Sequence, residues 1–324
     1  MPESVRADLL AAGTFESVAA AAEGAPLVFA ARAGEGANLG QAWDAAAGAA
    51  FGPALPGFCE DWAFGVLPGP DGASPVVAWT HRDRLHVHDL RSGAELALEP
   101  GRAVHPDLVG LAVHGGRGAV VAVFGPAHGA EVVVWDARTG HRLGECGVFL
   151  GHWSAIERRV LHGVPATGPL IGLTRDTDRA EDAEDGAPGA RHVSVLDVER
   201  GEEVAALPSE GSPDAAFLHG PGGAVLVQPG RGEVLVRRLD GERVAALETT
   251  VSCERVAAAS VDGSLLVVAD DRDDPCALLA WDTASTAPHR RLEVPAPVND
   301  LALASDGTLV AATDRGLYRC PAAL

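Results

Sequence analysis

Seven short apolar runs recur along the chain, each preceded by a turn rich in Gly, Pro or Asp, and no other feature constrains the fold as strongly. The runs occupy residues 26–31, 75–79, 119–124, 169–173, 224–227, 264–268 and 308–312. Their second residues are spaced by 49, 44, 50, 55, 40 and 44. A period of this size means one supersecondary unit repeated, because a lone unit cannot bury both of its faces. The preceding turns are Glu23-Gly24, Asp71-Gly72, Gly115-Gly116, residues 165–168, residues 221–223, Asp262-Gly263 and Asp306-Gly307. Asp-Gly and Gly-Gly tolerate the positive φ angles of tight hairpins, so each turn joins an inner strand to a second, antiparallel strand.

A third strand follows each run and ends in an aromatic or apolar residue plus Asp. The endings are Trp43-Asp44, His88-Asp89, Trp135-Asp136, Leu196-Asp197 and Trp281-Asp282, with Leu239-Asp240-Gly241 in the fifth unit. Turn residues such as Ser92-Gly93, Thr139-Gly140 and Arg200-Gly201 then lead into an outer strand, for instance over 202–207 and 243–247. These endings resemble the Trp-Asp signature of WD40 repeats, and Gly151-His152 resembles the Gly-His element that opens such a repeat. Three units carry Trp-Asp and one carries Gly-His, and the resemblance extends over nearly the whole chain. It implies an all-β, seven-bladed propeller of four-stranded antiparallel blades, read as one domain over residues 1–324.

The last unit supports closure of the ring. Its first three strands fall at 299–305, 308–313 and 316–320, and the sequence then has no room for a fourth. The segment 3–10, ahead of the first inner strand at 14–20, is expected to supply it and to cover an otherwise exposed sheet edge. The competing reading of that segment is a short helix, since residues 5–12 are rich in Ala and Leu.

Composition bounds the function. The formal charge is -20 and the chain has no Lys. Such a surface repels phosphate backbones, so nucleic acid is not expected as a partner. A phosphate-binding loop ending in Gly-Lys is impossible, as is Schiff-base chemistry on a lysine. No G-x-S-x-G elbow is present. No stretch approaches the roughly 20 apolar residues of a membrane helix, and residues 1–10 lack a basic, apolar leader, so a cytoplasmic protein without membrane association is expected. Abundant Ala, Gly, Arg and Pro without Lys point to a high-GC bacterial genome. The five cysteines are scattered and read as buried free thiols, not as metal or redox pairs.

Acidic or amide residues stand near the start of each inner strand: Glu16, Asp61, Asp107, Glu157, Asp214, Glu254 and, with one residue of register freedom, Asn299 or Asp300. In a propeller these positions surround one mouth of the central channel, where a carboxylate ring could receive Arg and Lys side chains or a cation. Trp62 and Trp153 lie beside the ring as aromatic anchors, whereas Trp43, Trp135 and Trp281 suit core packing.

Three further features carry a functional reading beside a plainer one. The acidic insertion at about 176–189 has calcium-like chemistry without the calcium-loop spacing, and reads better as a solvated loop. The turn 270–274 reads the same way. His86 and His88 share a strand face with His81 nearby, a pair suited to zinc were a third ligand present, but His88 stands where other units have Trp or Leu and so reads as core.

The resemblance implies a non-enzymatic interaction scaffold; the acidic ring and the net charge favour a basic peptide or protein at the mouth, and a monomer without cofactors is expected. Two alternatives remain: a lactonase-like hydrolase holding a metal in the channel, and a propeller that binds a small molecule.

Overall fold

In the computed structural model, the described residues are 5–34, 38–58, 61–81, 84–98, 106–124, 130–148, 161–163, 168–176, 191–209, 214–220, 222–230, 232–249, 251–288 and 290–320. They form seven antiparallel sheets, numbered here as blades 1 to 7 in the order of their inner strands. Those inner strands are Phe15–Ala20, Trp62–Leu67, Leu108–His114, Leu161–Gly163, Ala216–Gly220, Val256–Val261 and Val298–Leu303. Each touches the inner strands of its two neighbours, including the seventh against the first, so the blades close into a seven-bladed propeller.

Blade 3 shows how the repeat folds. Its strands are Leu108–His114, Arg117–Phe124, Ala130–Asp136 and Arg142–Val148, paired in sequence order. Successive side chains of a strand point to opposite faces. In the second strand Ala119, Val121 and Val123 pack toward blade 4, while Val120, Ala122 and Phe124 pack toward blade 2. Both faces are buried, and the sequence therefore shows an unbroken apolar run where a one-sided sheet would alternate. Among the described residues seven apolar clusters occur, one in each seam between neighbouring blades.

The Asp of each third-strand ending has a local task. Its carboxylate accepts N–H groups of the turn that leads to the outer strand: Arg138 and Thr139 at 3.0 and 2.9 Å for Asp136, Arg91 and Ser92 at 2.9 and 2.8 Å for Asp89, Glu199 and Arg200 at 2.9 and 3.1 Å for Asp197. Burial opposes ionisation of Asp136, yet these N–H donors, with the Thr139 hydroxyl and Arg117, outweigh it and hold the carboxyl below its usual value. The hairpins between inner and second strands use positive φ where expected: Asp262 at 49° and Gly263 at 82° give the pair of left-handed residues that a two-residue turn twisted like its strands requires.

Closure differs in detail from the expectation. The missing strand of blade 7 is Asp8–Ala12, antiparallel to Gly316–Cys320, and lies a few residues later than 3–10. Val5–Arg6 cross to blade 6 and pair in parallel with Leu292 and Glu293 as a fifth strand. No helix forms over residues 5–12. Side chains stitch the closing seam: Arg319 donates to the carbonyls of Ala45 and Ala46 at 2.8 and 2.6 Å, Asn299 to that of Phe15 at 3.0 Å, and Ser305 to that of Gly24 at 3.0 Å.

The turn 270–274 is solvated over Arg272, Asp273 and Asp274, but its first two residues correct the reading. Asp270 and Asp271 are buried, at 7% and 3% exposure. Asp270 accepts the N–H groups of Glu254 and Arg255 at 2.7 and 2.8 Å, and Asp271 accepts those of Asp273 and Asp274 while pairing with Arg291 at 2.7 Å. These carboxylates replace missing backbone partners, and burial is tolerated because each oxygen is satisfied. The insertion from 177 onward lies outside the described residues.

Two truncations separate the roles of the N-terminal segment. Deleting residues 1–7 removes the fifth strand of blade 6 and the packing of Ala7 but keeps Asp8–Ala12, and should lower the thermal midpoint by a few degrees while unfolding stays cooperative. Deleting residues 1–13 uncovers the edge Gly316–Cys320 and should give aggregation or loss of the cooperative transition, as read by calorimetry and light scattering. In the turns, Asp136→Ala should cost about 1–3 kcal/mol in urea unfolding, the loss expected for charge-assisted hydrogen bonds.

Candidate binding face

Every inner strand runs in the same sense around the ring, so the residues that open them surround one mouth. The ends of the second strands and the starts of the third reach that same face. The described members of the acidic set differ in exposure. Glu16 is exposed, beside a bulge in the first inner strand. Asp61 and Asp107 are partly buried, and their backbones join the second strands of their own blades: the Asp61 carbonyl accepts Thr80 N–H at 3.2 Å, and Asp107 N–H donates to the Val123 carbonyl at 2.8 Å. Glu254 pairs with Arg272 at 3.1 Å. Asn299 donates to Asp314 Oδ1 at 2.8 Å as well as to the Phe15 carbonyl. Glu157 and Trp153 lie outside the described residues.

Asp214 and Asp300 match in role. Asp214 Oδ2 accepts the N–H of Val256, the first residue of the next inner strand, at 2.9 Å. Asp300 Oδ2 accepts that of Val18 in blade 1, also at 2.9 Å. The register freedom left between Asn299 and Asp300 is thus resolved by role: Asn299 bonds sideways to blade 1, and Asp300 occupies the position of Asp214. Sequence could not show this, because the partner N–H belongs to a different repeat.

Asp214 keeps a little accessible surface, but protein packs closely around its carboxyl, and that enclosure sets the penalty on its charge. Burial, then the neighbouring Asp300 carboxylate, push it up to about 7 against the N–H groups of Val256 and Ala215 and the charge of Arg255. A carboxyl titrating there can act as acid or base near neutrality, which marks the residue chemically.

The seam between blades 1 and 2 differs from the aliphatic seams elsewhere. Phe29, Phe58, Trp62, Phe64 and Trp79 gather there, out of eight Phe, six Trp and one Tyr in the chain. The Trp62 ring lies tilted against Phe29 and edge-on to Phe58, with centroids 5.2 and 5.9 Å away, and its Nε1 donates to Ser17 Oγ at 3.1 Å. It reaches the mouth only in part, held by this cluster. Trp43, Trp135 and Trp281 are core residues at 7%, 4% and 0% exposure, as expected.

His86 stacks on Trp79 at 5.1 Å and pairs through Nδ1 with Glu95 at 3.0 Å, and His81 meets it edge-on at 6.0 Å. His88 is buried with both ring nitrogens lacking a hydrogen-bond partner, consistent with its expected place in the core. Among the described residues no three His, Cys, Asp or Glu side chains gather as metal ligands. The thiol expectation needs correction in part: Cys253 and Cys320 are buried, with burial pushing each up to about 12, but Cys146 and Cys276 are partly exposed, and Cys59 lies outside the described residues.

The class these features define is a seven-bladed β-propeller with the fold of the WD40-repeat proteins. No protein-family profile matches the sequence, and no curated protein matches it. Solved structures do share the fold. U3-55K is 14% identical with a TM-score of 0.64 over 99% of this chain and 100% of that one. The RRP9 WD40 repeats are 13% identical with a TM-score of 0.60 over 99% of each chain. A chain of the mitotic checkpoint complex is 15% identical, with a TM-score of 0.58 over 98% of this chain and 89% of that one. Among the described residues no helix is long and apolar enough to cross a membrane.

The raised Asp214 carboxyl gives a signed prediction. A folded-state value above that of the unfolded chain means that the native protein binds the extra proton, so the contribution of Asp214 to stability is largest below pH 4 and declines as pH rises to about 7. Asp214→Asn cannot titrate. Relative to wild type, its stability in urea melts should therefore climb between pH 4 and 8, by at most about 4 kcal/mol.

Proposed function

We propose that this propeller is a non-enzymatic protein-interaction module and that its acidic mouth docks a basic peptide or protein segment. What supports this reading is the position of Glu16, Asp61, Asp107 and Asp300 near the openings of inner strands in a chain with a net charge of -20, with Asp214 adding its charge once it ionises at about 7. A negative mouth concentrates cationic side chains and steers their encounter, and partly exposed Trp62 adds an aromatic contact at its rim. Glu157 and Trp153 belong to the same proposed face by sequence position. The shared fold supports the reading by analogy, since one structural relative was solved in the mitotic checkpoint complex.

The wider picture is a single 324-residue domain with an acidic insertion at about 176–189, acting as a bacterial cytoplasmic monomer that needs no cofactor and does not bind nucleic acid. A channel-metal hydrolase would need three converging ligands, which the described residues do not gather. Small-molecule binding gains no support from a specific feature.

An arginine-rich octapeptide tests the reading by fluorescence anisotropy. Wild-type protein should bind it with an affinity that falls steeply with salt. Glu16→Arg with Asp107→Arg should weaken binding about tenfold or more, with an unchanged thermal midpoint as the control for folding. Equal binding of a glutamate-rich octapeptide, or undiminished binding by the doubly reversed protein, would remove the mouth from consideration.

A further inference from the structure

The inner strand of every blade is a sheet edge facing the channel, and its inward N–H groups have no ladder partner. Asp214 and Asp300 answer this by the same device, each reaching across a seam to an N–H of the next blade at 2.9 Å. Each carboxylate also takes the N–H of the residue that follows it, Ala215 and Leu301 respectively. One joins blade 5 to blade 6, and the other joins blade 7 to blade 1.

The surroundings of Asp214 set its latch apart. From blade 7 it faces the like charge of Asp300, and from blade 6 the guanidinium of Arg255. Arg255 is shared with Asp270, at 3.4 Å from the end of the second strand of blade 6, while the adjacent Glu254 is matched by Arg272. Arg255, whose charge favours an ionised Asp214, is therefore divided between two carboxylates, and the charge of Asp300 opposes that ionisation.

We propose that the Val256–Asp214 hydrogen bond is a proton-operated latch on the seam between blades 5 and 6, firm while the Asp214 carboxyl is protonated and loosened once it ionises. An ionised carboxylate is the better acceptor for Val256 N–H, but burial and the repulsion from Asp300 outweigh that gain, which is why Asp214 holds its proton up to about 7. Local opening of the seam hydrates the carboxylate and moves it away from Asp300. Rising pH therefore shifts the equilibrium toward the opened seam by linkage, within the range in which cells vary their pH. The Asp300 latch on the closing seam serves as the internal comparison.

Amide hydrogen exchange, expressed as protection factors so that the intrinsic pH dependence is removed, reads each latch at its own donor. Between pH 6 and 8 the protection of Val256 in the wild-type protein should fall about tenfold, and that of Val18 should stay constant. In Asp214→Asn the fall at Val256 should disappear. In Asp300→Asn it should shrink, because the repulsion that keeps Asp214 protonated near neutrality is gone. Equal changes at Val256 and Val18 in the wild-type protein would overturn the latch, and that comparison needs no variant to fold. Persistence of the fall in Asp214→Asn would also overturn it.

Discussion

The pairing of Asp8–Ala12 with Gly316–Cys320 is the constraint on which the rest of this molecule depends. Each blade buries its two faces only against neighbours, so an open arc of seven would leave blades 1 and 7 with one bare face each and an unpaired edge. Joining Asp8–Ala12 and Gly316–Cys320 in one sheet ties segments far apart in sequence into the same cooperative unit. Val5–Arg6 extends the tie to blade 6, and one short segment thereby spans two blades. Arg319, Asn299, Asp300 and Ser305 then lock blade 7 to blade 1 from both ends of the seam.

Within the ring, apolar side chains supply the cohesion and aspartates supply the joints. Asp89, Asp136 and Asp197 cap turns on one face, Asp270 and Asp271 fill gaps in the backbone bonding of blade 6, and Asp214 and Asp300 cross between blades at the mouth. These seven aspartates are structural members of a chain with 45 acidic residues. At the mouth, Asp214 and Asp300 satisfy N–H groups of neighbouring inner strands, so these two carboxylates are part of the framework.

The architecture was legible because it is periodic: phased turns, continuous apolar runs and terminal Asp residues repeat often enough to overcome the weakness of each motif. The need for an N-terminal closing strand was also legible, as an absence in the last unit. Its parallel excursion onto blade 6 was not, since a two-residue strand has no periodicity to read. Within the turn 270–274, Asp270 and Asp271 misled for a physical reason: a run of Asp looks solvated unless one knows that four backbone N–H groups and two arginines converge on these two carboxylates. The candidate site was legible as a set of positions and not as a set of roles, because the partners of Asp214 and Asp300 lie in neighbouring repeats, beyond the reach of local sequence.

The closing strand can be tested directly by crosslinking. Leu9 and Tyr318 face each other across the pairing that closes the ring. Leu9→Cys combined with Tyr318→Cys, oxidised and mapped by mass spectrometry, should give an intramolecular disulfide between these two positions in a monomer, with a raised thermal midpoint. Failure to form that bridge, or a bridge found only between separate molecules, would contradict a ring closed by its own N-terminal strand.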